Sequence, residues 1–518
     1  MAVIEMEGPR NAPGADPAPD EGAPPAGVLR RLWAHPRLGL AAAVVLAAGF
    51  GAVSGWLTPR GPVTASQALL AMGVALLVGA GAGLATGSRW AMLIAPGAFL
   101  VVFELTRLGV DGLTVDGLHL TSLYGMLAFV LGRGVHGVLV LAPMVLGVGY
   151  GVWLSGRLGH PAAARPGPTG RALTVVLTLA LAAVAFFISR PASTAPVLGA
   201  EGDPLPGSVS ELTSVEIGGH DQVLMIRGRS IDNPVLLYLS GGPGGTDIGA
   251  LRADVGLEDD FVVVAWEQRG AGKSYPALDP TDTFTVDRLV ADTIEVTDYL
   301  RERFDEDRIY LVGQSWGSTL GVLAARERPD LYHAFVGVGQ MVSQRETDIM
   351  AWEDTLAWAE RTGNAELADS LQSAGPPPYD DIIQYEQVVS YEHDWNPYPE
   401  LDLSKEMPAI LFVPEYSWMD RINAFRAFLD TNAALYPALQ QVDFRQDVPR
   451  LDVPYYMVLG EHETRGRSIL AEEWFALVDA PRKERVIFEG AGHRPNFDRP
   501  DLFADLMNRA AADTYPSS

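Results

Sequence analysis

The sequence predicts an α/β fold, a mainly parallel sheet covered by helices and broken by a helical insertion, placed after an all-α bundle of transmembrane helices. Three observations carry this expectation. Five long apolar stretches fill the first 190 residues. The remainder alternates short β-branched runs with amphipathic helical patterns, as helices laid on a parallel sheet require. One of those runs, Arg308-Ile309-Tyr310-Leu311-Val312, ends in Gly313-Gln314-Ser315-Trp316-Gly317 and passes into a helical pattern from Ser318 to Arg326. Strand, sharp turn and helix with a serine at the apex is the arrangement called a nucleophile elbow.

A chain of 518 residues exceeds one ordinary domain. Residues 1–29, rich in Pro, Ala, Gly and acids, read as a disordered tail. A transmembrane domain is expected over 30–190. The stretches 38–59, 61–88, 134–156 and 172–189 contain no Asp, Glu, Lys or Arg, and each is long enough to cross a bilayer. Residues 90–106, interrupted only by Glu104, make a fifth span, with Glu104 near its end reaching the interface. The uncharged piece 117–132, between Asp116 and Arg133, reads as a partly embedded or interfacial helix. With five spans and a cytoplasmic N-terminus, seven arginines (30, 31, 37, 89, 157, 165 and 171) lie inside and four (60, 107, 133 and 190) outside. That balance follows the positive-inside tendency and puts everything after residue 190 outside the cytoplasm, in a multi-pass protein of the cell membrane. A sixth span at 117–132 would reverse the side.

Residues 1–195 carry a net charge of +4 and 196–518 a net of −30, so the pooled −26 joins a nearly neutral half to a strongly acidic one. Acidity of that size argues against nucleic acid as a partner, because phosphates need a basic face. The expected partners are the lipid bilayer and a small peptide or acyl substrate. No cysteine is present, which removes thiolate catalysis and cysteine metal sites. The nine histidines are scattered without an HExxH helix, and neither a metal nor a cofactor is expected.

After a Pro-, Gly- and Ser-containing linker at 191–210, strands are expected at 213–218, 221–227, 234–239, 261–266, 308–312, 333–338, 454–459 and 484–489. Helices are expected at 285–304, 316–327, 467–479 and 499–512. The alternation stops between 341 and 445, where the pattern turns helical and aromatic-rich. This segment reads as a cap over the strand ends, splitting the sheet domain into 211–340 and 446–518.

Nucleophilic serine chemistry needs a base for the hydroxyl proton, a carboxylate to orient that base and donors for the oxyanion. The strand 455–459 leads into Gly460-Glu461-His462-Glu463, and the next strand into Glu489-Gly490-Ala491-Gly492-His493. Both a carboxylate and a histidine therefore follow strands, in the chain order serine, acid, histidine that this elbow demands. His493 is the expected base and Glu463 the expected acid, with Glu461 and Asp498 as competing carboxylates. Ser240-Gly241-Gly242-Pro243-Gly244-Gly245 directly follows another strand, and its glycines let backbone amides approach a reacting carbonyl. The Gly242 and Trp316 amides are the expected oxyanion hole.

Together these motifs resemble the proline iminopeptidase (prolyl aminopeptidase) branch of the α/β-hydrolases, whose members carry an HGGPGG-type loop, a DQRGxGxS segment and a GxSWGS elbow. The matching pieces are Ser240 to Gly245, Glu267 to Ser274 and Gly313 to Ser318, and the likeness spans roughly residues 210–515. Ser240 replaces the usual His, Glu267 the usual Asp, and Glu463 stands where Asp is usual. The resemblance implies an α/β-hydrolase fold with a helical cap and an aminopeptidase activity in which cap carboxylates hold the substrate's α-ammonium. The segment 341–445 has 19 acids and 6 bases, and Glu346 is the candidate substrate carboxylate, with Trp352, Trp358, Trp395 and Trp418 as candidate apolar walls. Two other functions compete: an esterase, lipase or amidase acting on small acyl or lipid-derived compounds, and a non-catalytic membrane receptor or scaffold.

Overall fold

All eight expected strands form: β1 (Val209–Ile217), β2 (His220–Gly228), β3 (Val235–Leu239), β4 (Val262–Glu267), β5 (Ile309–Gln314), β6 (Tyr332–Val338), β7 (Tyr455–Gly460) and β8 (Lys483–Phe488). They make one sheet in the order β1-β2-β4-β3-β5-β6-β7-β8 in the computed structural model, which describes residues 27–164, 167–253, 256–399 and 411–515. Most of the tail expected at 1–29 lies outside the described residues. Strands β3 to β8 run parallel, whereas the hairpin β1–β2 joins antiparallel to β4. The five strands from β4 to β7 in the sheet order are buried at every position, as their unbroken apolar sequences require when helices cover both faces. Helices Val286–Phe304, Trp316–Glu327 and Arg465–Leu477 cover one face through residues such as Leu300, Leu320 and Trp474. Helix Pro500–Thr514 covers the other through Phe503, Leu506 and Met507. Parallel strands bring their C-terminal ends to one rim, and the loops after β3, β5, β7 and β8 meet there.

Among the described residues four N-terminal helices are long and apolar enough to cross a membrane: Pro36–Leu57, Ala65–Thr86, Leu123–Arg157 and Pro168–Ile188. Ala91–Thr106 is a helix of 16 residues, short of the ~20 that a bilayer core calls for, but it runs beside Pro36–Leu57 in the same direction, since a Cβ at Gly51 would lie 2.6 Å from Phe99 O and one at Gly55 2.8 Å from Thr106 Cβ. The expectation is corrected at one point. The interfacial piece expected at 117–132 is not separate from the span expected at 134–156. One helix of 35 residues runs from Leu123 through Arg157, with π-type turns at Val130–Gly134 and Gly137–Leu141. The charge at Arg133 does not end it, because Arg133 pairs with Glu104 (3.2 Å), which Arg107 also holds (2.6 Å). Small residues let these helices touch backbone to backbone. A Cβ at Gly79 would lie 2.0 Å from the Met144 carbonyl oxygen, and one at Gly151 2.0 Å from that of Ala80.

The insertion is helical, with Gln344–Thr362, Ala365–Ala374 and Trp418–Leu439 as its main helices; residues 400–410 lie outside the described ones. Inside it Asp348 is buried and accepts from Gln344 Nε2 and Tyr436 OH (both 2.8 Å) and from Gln440 Nε2 (2.8 Å). Burial pushes its carboxyl up from an ordinary 3.8 to about 6, against the three hydrogen bonds. A carboxyl whose folded value exceeds its unfolded one stabilises most when protonated, so this contribution is present below pH 3.8 and fades as pH rises through 6. A rise of that size amounts to about 3 kcal/mol at neutral pH. Asp348→Asn is expected to melt higher than the wild type at pH 8 and to show a flatter dependence between pH 4 and 8, since Gln440 Oε1, buried without a partner, can turn to accept from the new amide. Thermal melts across that range check this, and an unchanged slope refutes it.

Helix Trp418–Leu439 also ties the two halves together. Asp430, fully buried, accepts from the Thr114 amide (2.8 Å), Thr114 Oγ1 (2.6 Å), Tyr275 OH (2.6 Å) and Arg60 Nη1 (3.1 Å). Arg60 reaches on to Asp279 (2.9 Å). Arg426 donates to the carbonyls of Leu131 (2.7 and 3.0 Å) and Pro62 (2.9 Å), and Glu386 accepts from the Leu123 and Tyr124 amides at a helix start (2.8 and 3.0 Å). Buried charges persist where they are paired this fully. The helix ends near residues 58–64, 107–116, 123 and 187 thus all abut the acidic half.

Candidate active site

Ser315 sits at φ 55° and ψ −121°, a conformation that side-chain-bearing residues rarely adopt. The turn is possible because its neighbours are glycine. A Cβ at Gly313 would stand 2.2 Å from the Gly317 carbonyl oxygen, and one at Gly317 would stand 2.0 Å from that of Leu239. The Ser315 amide donates to Val338 O (2.9 Å), and Ser318 Oγ donates to Ser315 O (2.6 Å), which fixes the elbow between β5, β6 and its helix.

His493 Nε2 lies 2.9 Å from Ser315 Oγ, and His493 Nδ1 lies 2.6 Å from Glu463 Oε2. Glu463 is almost wholly buried. Its second oxygen accepts from the Thr464 amide (2.9 Å) and Arg467 Nε (2.7 Å). Burial raises the Glu463 carboxyl, but the charges and hydrogen bonds of His493 and Arg467 outweigh it and hold the group well below the usual carboxylate range. Arg467, which also pairs with Glu392 of the cap, is a functional neighbour that the sequence reading missed; its i+4 spacing from Glu463 at a helix start was the available signal. The competing acids are used elsewhere. Glu461 accepts from the Gly490 amide and Asp498 from the Gly492 amide, each shaping the loop that carries His493. His462 stacks on Tyr398.

Gly242 (φ 126°) and Trp316 present their backbones beside Ser315, and neither amide has a hydrogen-bond partner among the described residues. Gln268 joins the two loops: Trp316 Nε1 donates to its Oε1 (2.9 Å), and its Nε2 donates to Ser240 O (3.0 Å). Ser240, where a histidine was usual, thus contributes its carbonyl. Glu267, buried and with its carboxyl raised by that burial, accepts from Tyr416 OH (2.7 Å), the Lys273 amide (2.9 Å) and Thr246 Oγ1.

Glu346 is not brought to this group. It lies in the first turn of helix Gln344–Thr362, pairs with Arg445 and does not line the cavity at Ser315. The physical reason is local: a carboxylate at a helix start complements the dipole and is satisfied there. Nor do the four tryptophans form walls. Trp352 and Trp358 pack within the cap, and Trp418 packs edge-on to Phe187. The cavity at Ser315 and His493, about 520 Å³, is walled by Phe425, Phe428 and Leu429 of the cap and by Tyr124, Leu127 and Leu131 of the N-terminal half. Its carboxylate among the described lining residues is Asp247, paired with Arg494 at 2.6 Å.

This geometry defines a class: the acidic half is an α/β-hydrolase domain. Residues 234–374 match the alpha/beta hydrolase fold family. A Bacillus subtilis (strain 168) protein named Probable aminopeptidase YbaC is 29% identical over 312 residues, 60% of this chain and 98% of that one. The proline iminopeptidase of Xylella fastidiosa is 34% identical over 140 residues, 27% of this chain and 40% of that one. The crystal structure of a proline iminopeptidase-related protein from Thermus thermophilus is 21% identical and covers 60% of this chain and 99% of its own, with a TM-score of 0.43. The domain is thus similar to hydrolases of the proline iminopeptidase type.

Proposed function

We propose that this chain is a membrane-anchored serine hydrolase that releases N-terminal residues from peptides. The observation that carries the serine mechanism is the continuous Ser315–His493–Glu463 hydrogen-bond line. Ser315 Oγ attacks the acyl carbon while His493 Nε2 takes its proton, Glu463 holds the imidazole, and the Gly242 and Trp316 amides receive the oxyanion. The bond to the leaving amine breaks as His493 returns the proton to it. Water then attacks the acyl-enzyme by the same route, releasing the acid and restoring the Ser315 hydroxyl. The peptidase reading draws on the aminopeptidase names of the relatives.

A second reading, an esterase or amidase on apolar acyl compounds, is favoured by the cavity walls, where the one described carboxylate already has a cationic partner. Rates on an alanyl or prolyl anilide and on its N-acetylated form separate the two. The aminopeptidase is expected to lose at least tenfold in kcat/KM on acetylation; equal rates defeat it in favour of the second reading. With five crossings the arginine balance supports an extracytoplasmic hydrolase domain, and an even number would reverse the side; labelling of intact cells by a membrane-impermeant fluorophosphonate tests it.

A further inference from the structure

We propose that the site takes an amphiphile from the bilayer, its acyl side a long apolar chain seated against the membrane helix Leu123–Arg157. This rests on the serine-hydrolase reading of Ser315 and takes its second substrate class, the apolar acyl compounds, because the acyl group of an aminopeptidase substrate is an amino acid. Leu127 and Leu131, one turn apart on that helix, line the same cavity as Ser315 and His493, and the helix is one of those long and apolar enough to cross a membrane. The cap leaves part of the cavity wall to the N-terminal half.

The wall is built and held. Arg426, fully buried, places both its bonds to Leu131 on the backbone carbonyl beside the cavity, and Tyr124 meets Phe428 edge to face at 6.5 Å. The cavity lining divides by origin. The sheet domain brings Ser315, His493, Gln314 and the Asp247–Arg494 pair, whereas the cap and the N-terminal half bring leucines and phenylalanines. An acyl compound with a polar reacting group and an apolar tail matches that division. Its volume is within the range that small-molecule sites occupy.

Exposed apolar side chains adjoin these lining residues along the chain. Met126 and Val130 of the membrane helix are exposed, as are Phe412, Trp418 and Phe428 of the cap. Arg421 stacks over both Phe412 (5.2 Å) and Trp418 (4.9 Å). Aromatic rings combined with a cation and aliphatic side chains are what a protein presents at the headgroup level of a bilayer. The cap helix Trp418–Leu439 therefore rests at that level, and an amphiphile leaving the leaflet passes from lipid to Ser315 without its tail entering water.

The test uses the full chain, with p-nitrophenyl esters from acetate to dodecanoate. Wild type is expected to favour the dodecanoyl over the acetyl ester by at least tenfold in kcat/KM. Leu127→Trp and Leu131→Trp, which fill the tail end, are expected to lower that ratio at least tenfold, and the milder Leu131→Phe to move it the same way. Leu70→Trp, on the exposed face of another helix, is expected to leave both rates as they are. Labelling of Ser315 by an ethyl fluorophosphonate reports the fold of each variant. In a second arm the dodecanoyl ester is offered either as monomer in solution or dissolved in phosphatidylcholine vesicles carrying the protein. Faster turnover from vesicles supports the bilayer source, and turnover of the monomer alone overturns it. Labelled wild type with no preference for chain length, or labelled tryptophan variants with an unchanged ratio, overturns the tail site. Absence of labelling in wild type would instead sink the serine-hydrolase reading.

Discussion

Ser315→Ala is expected to abolish turnover of amide and ester substrates, with a fall in kcat on the order of 10⁶ at most. Two features of the site argue for the large end. The hydroxyl is held at a strained backbone position whose geometry depends on Gly313 and Gly317, not on its own side chain, so the alanine variant keeps the elbow and loses only the nucleophile. The histidine is then left facing a methyl group, and no other hydroxyl or thiol stands within hydrogen-bond reach of its Nε2 among the described residues. What remains is substrate binding and the two free amides, which typically sustain rates about 10³–10⁴ above water. Steady-state kinetics beside a thermal melt check the result. A well-folded Ser315→Ala protein that retained wild-type kcat would remove Ser315 from the mechanism.

The sequence made the sheet domain legible because its signals are local. Buried parallel strands read as short apolar runs, and the elbow, the glycine loop and the two post-strand loops each announce themselves within a few residues. The order serine, acid, histidine then limited which side chains could meet. Less legible were features set by distant packing. Nothing near Glu346 announced Arg445, 99 positions away, so a satisfied helix-start carboxylate looked like a substrate ligand. The cavity walls at Leu127 and Leu131 sat in a stretch whose apolar composition signals lipid equally well. The helix Leu123–Arg157 was divided at Arg133 because a lone charge reads as a boundary, and only its pairing with Glu104 explains why the helix continues. Gln268 lay inside a recognised motif, yet its bridge between Trp316 and Ser240 depends on three separate loops meeting.

Glu463→Gln is expected to lower kcat/KM by about 10⁴ while preserving the fold. The argument runs through the tautomer. Glu463 Oε1 already accepts from the Thr464 amide and Arg467, so a glutamine there keeps its carbonyl oxygen toward those donors and turns its NH₂ toward His493 Nδ1. The imidazole must then accept at Nδ1 and carry its proton on Nε2, facing Ser315 with a donor where the reaction needs a base. Glu463→Asp keeps the charge with a shorter reach and is expected to recover much of the loss, which a merely structural role for the carboxylate would not produce. The pH profile adds an independent readout. His493 and Arg467 hold the Glu463 carboxyl well below the carboxylate range despite its burial, so it stays ionised throughout the working range. Its lowered value adds stability above about pH 4.5 that is lost only as pH falls toward the folded value. Glu463 is therefore expected to add no proton to the acid limb of kcat/KM in the wild type, which follows a single proton. A limb two protons steep, or a Gln variant within tenfold of wild type, would show that Glu463 does not orient His493.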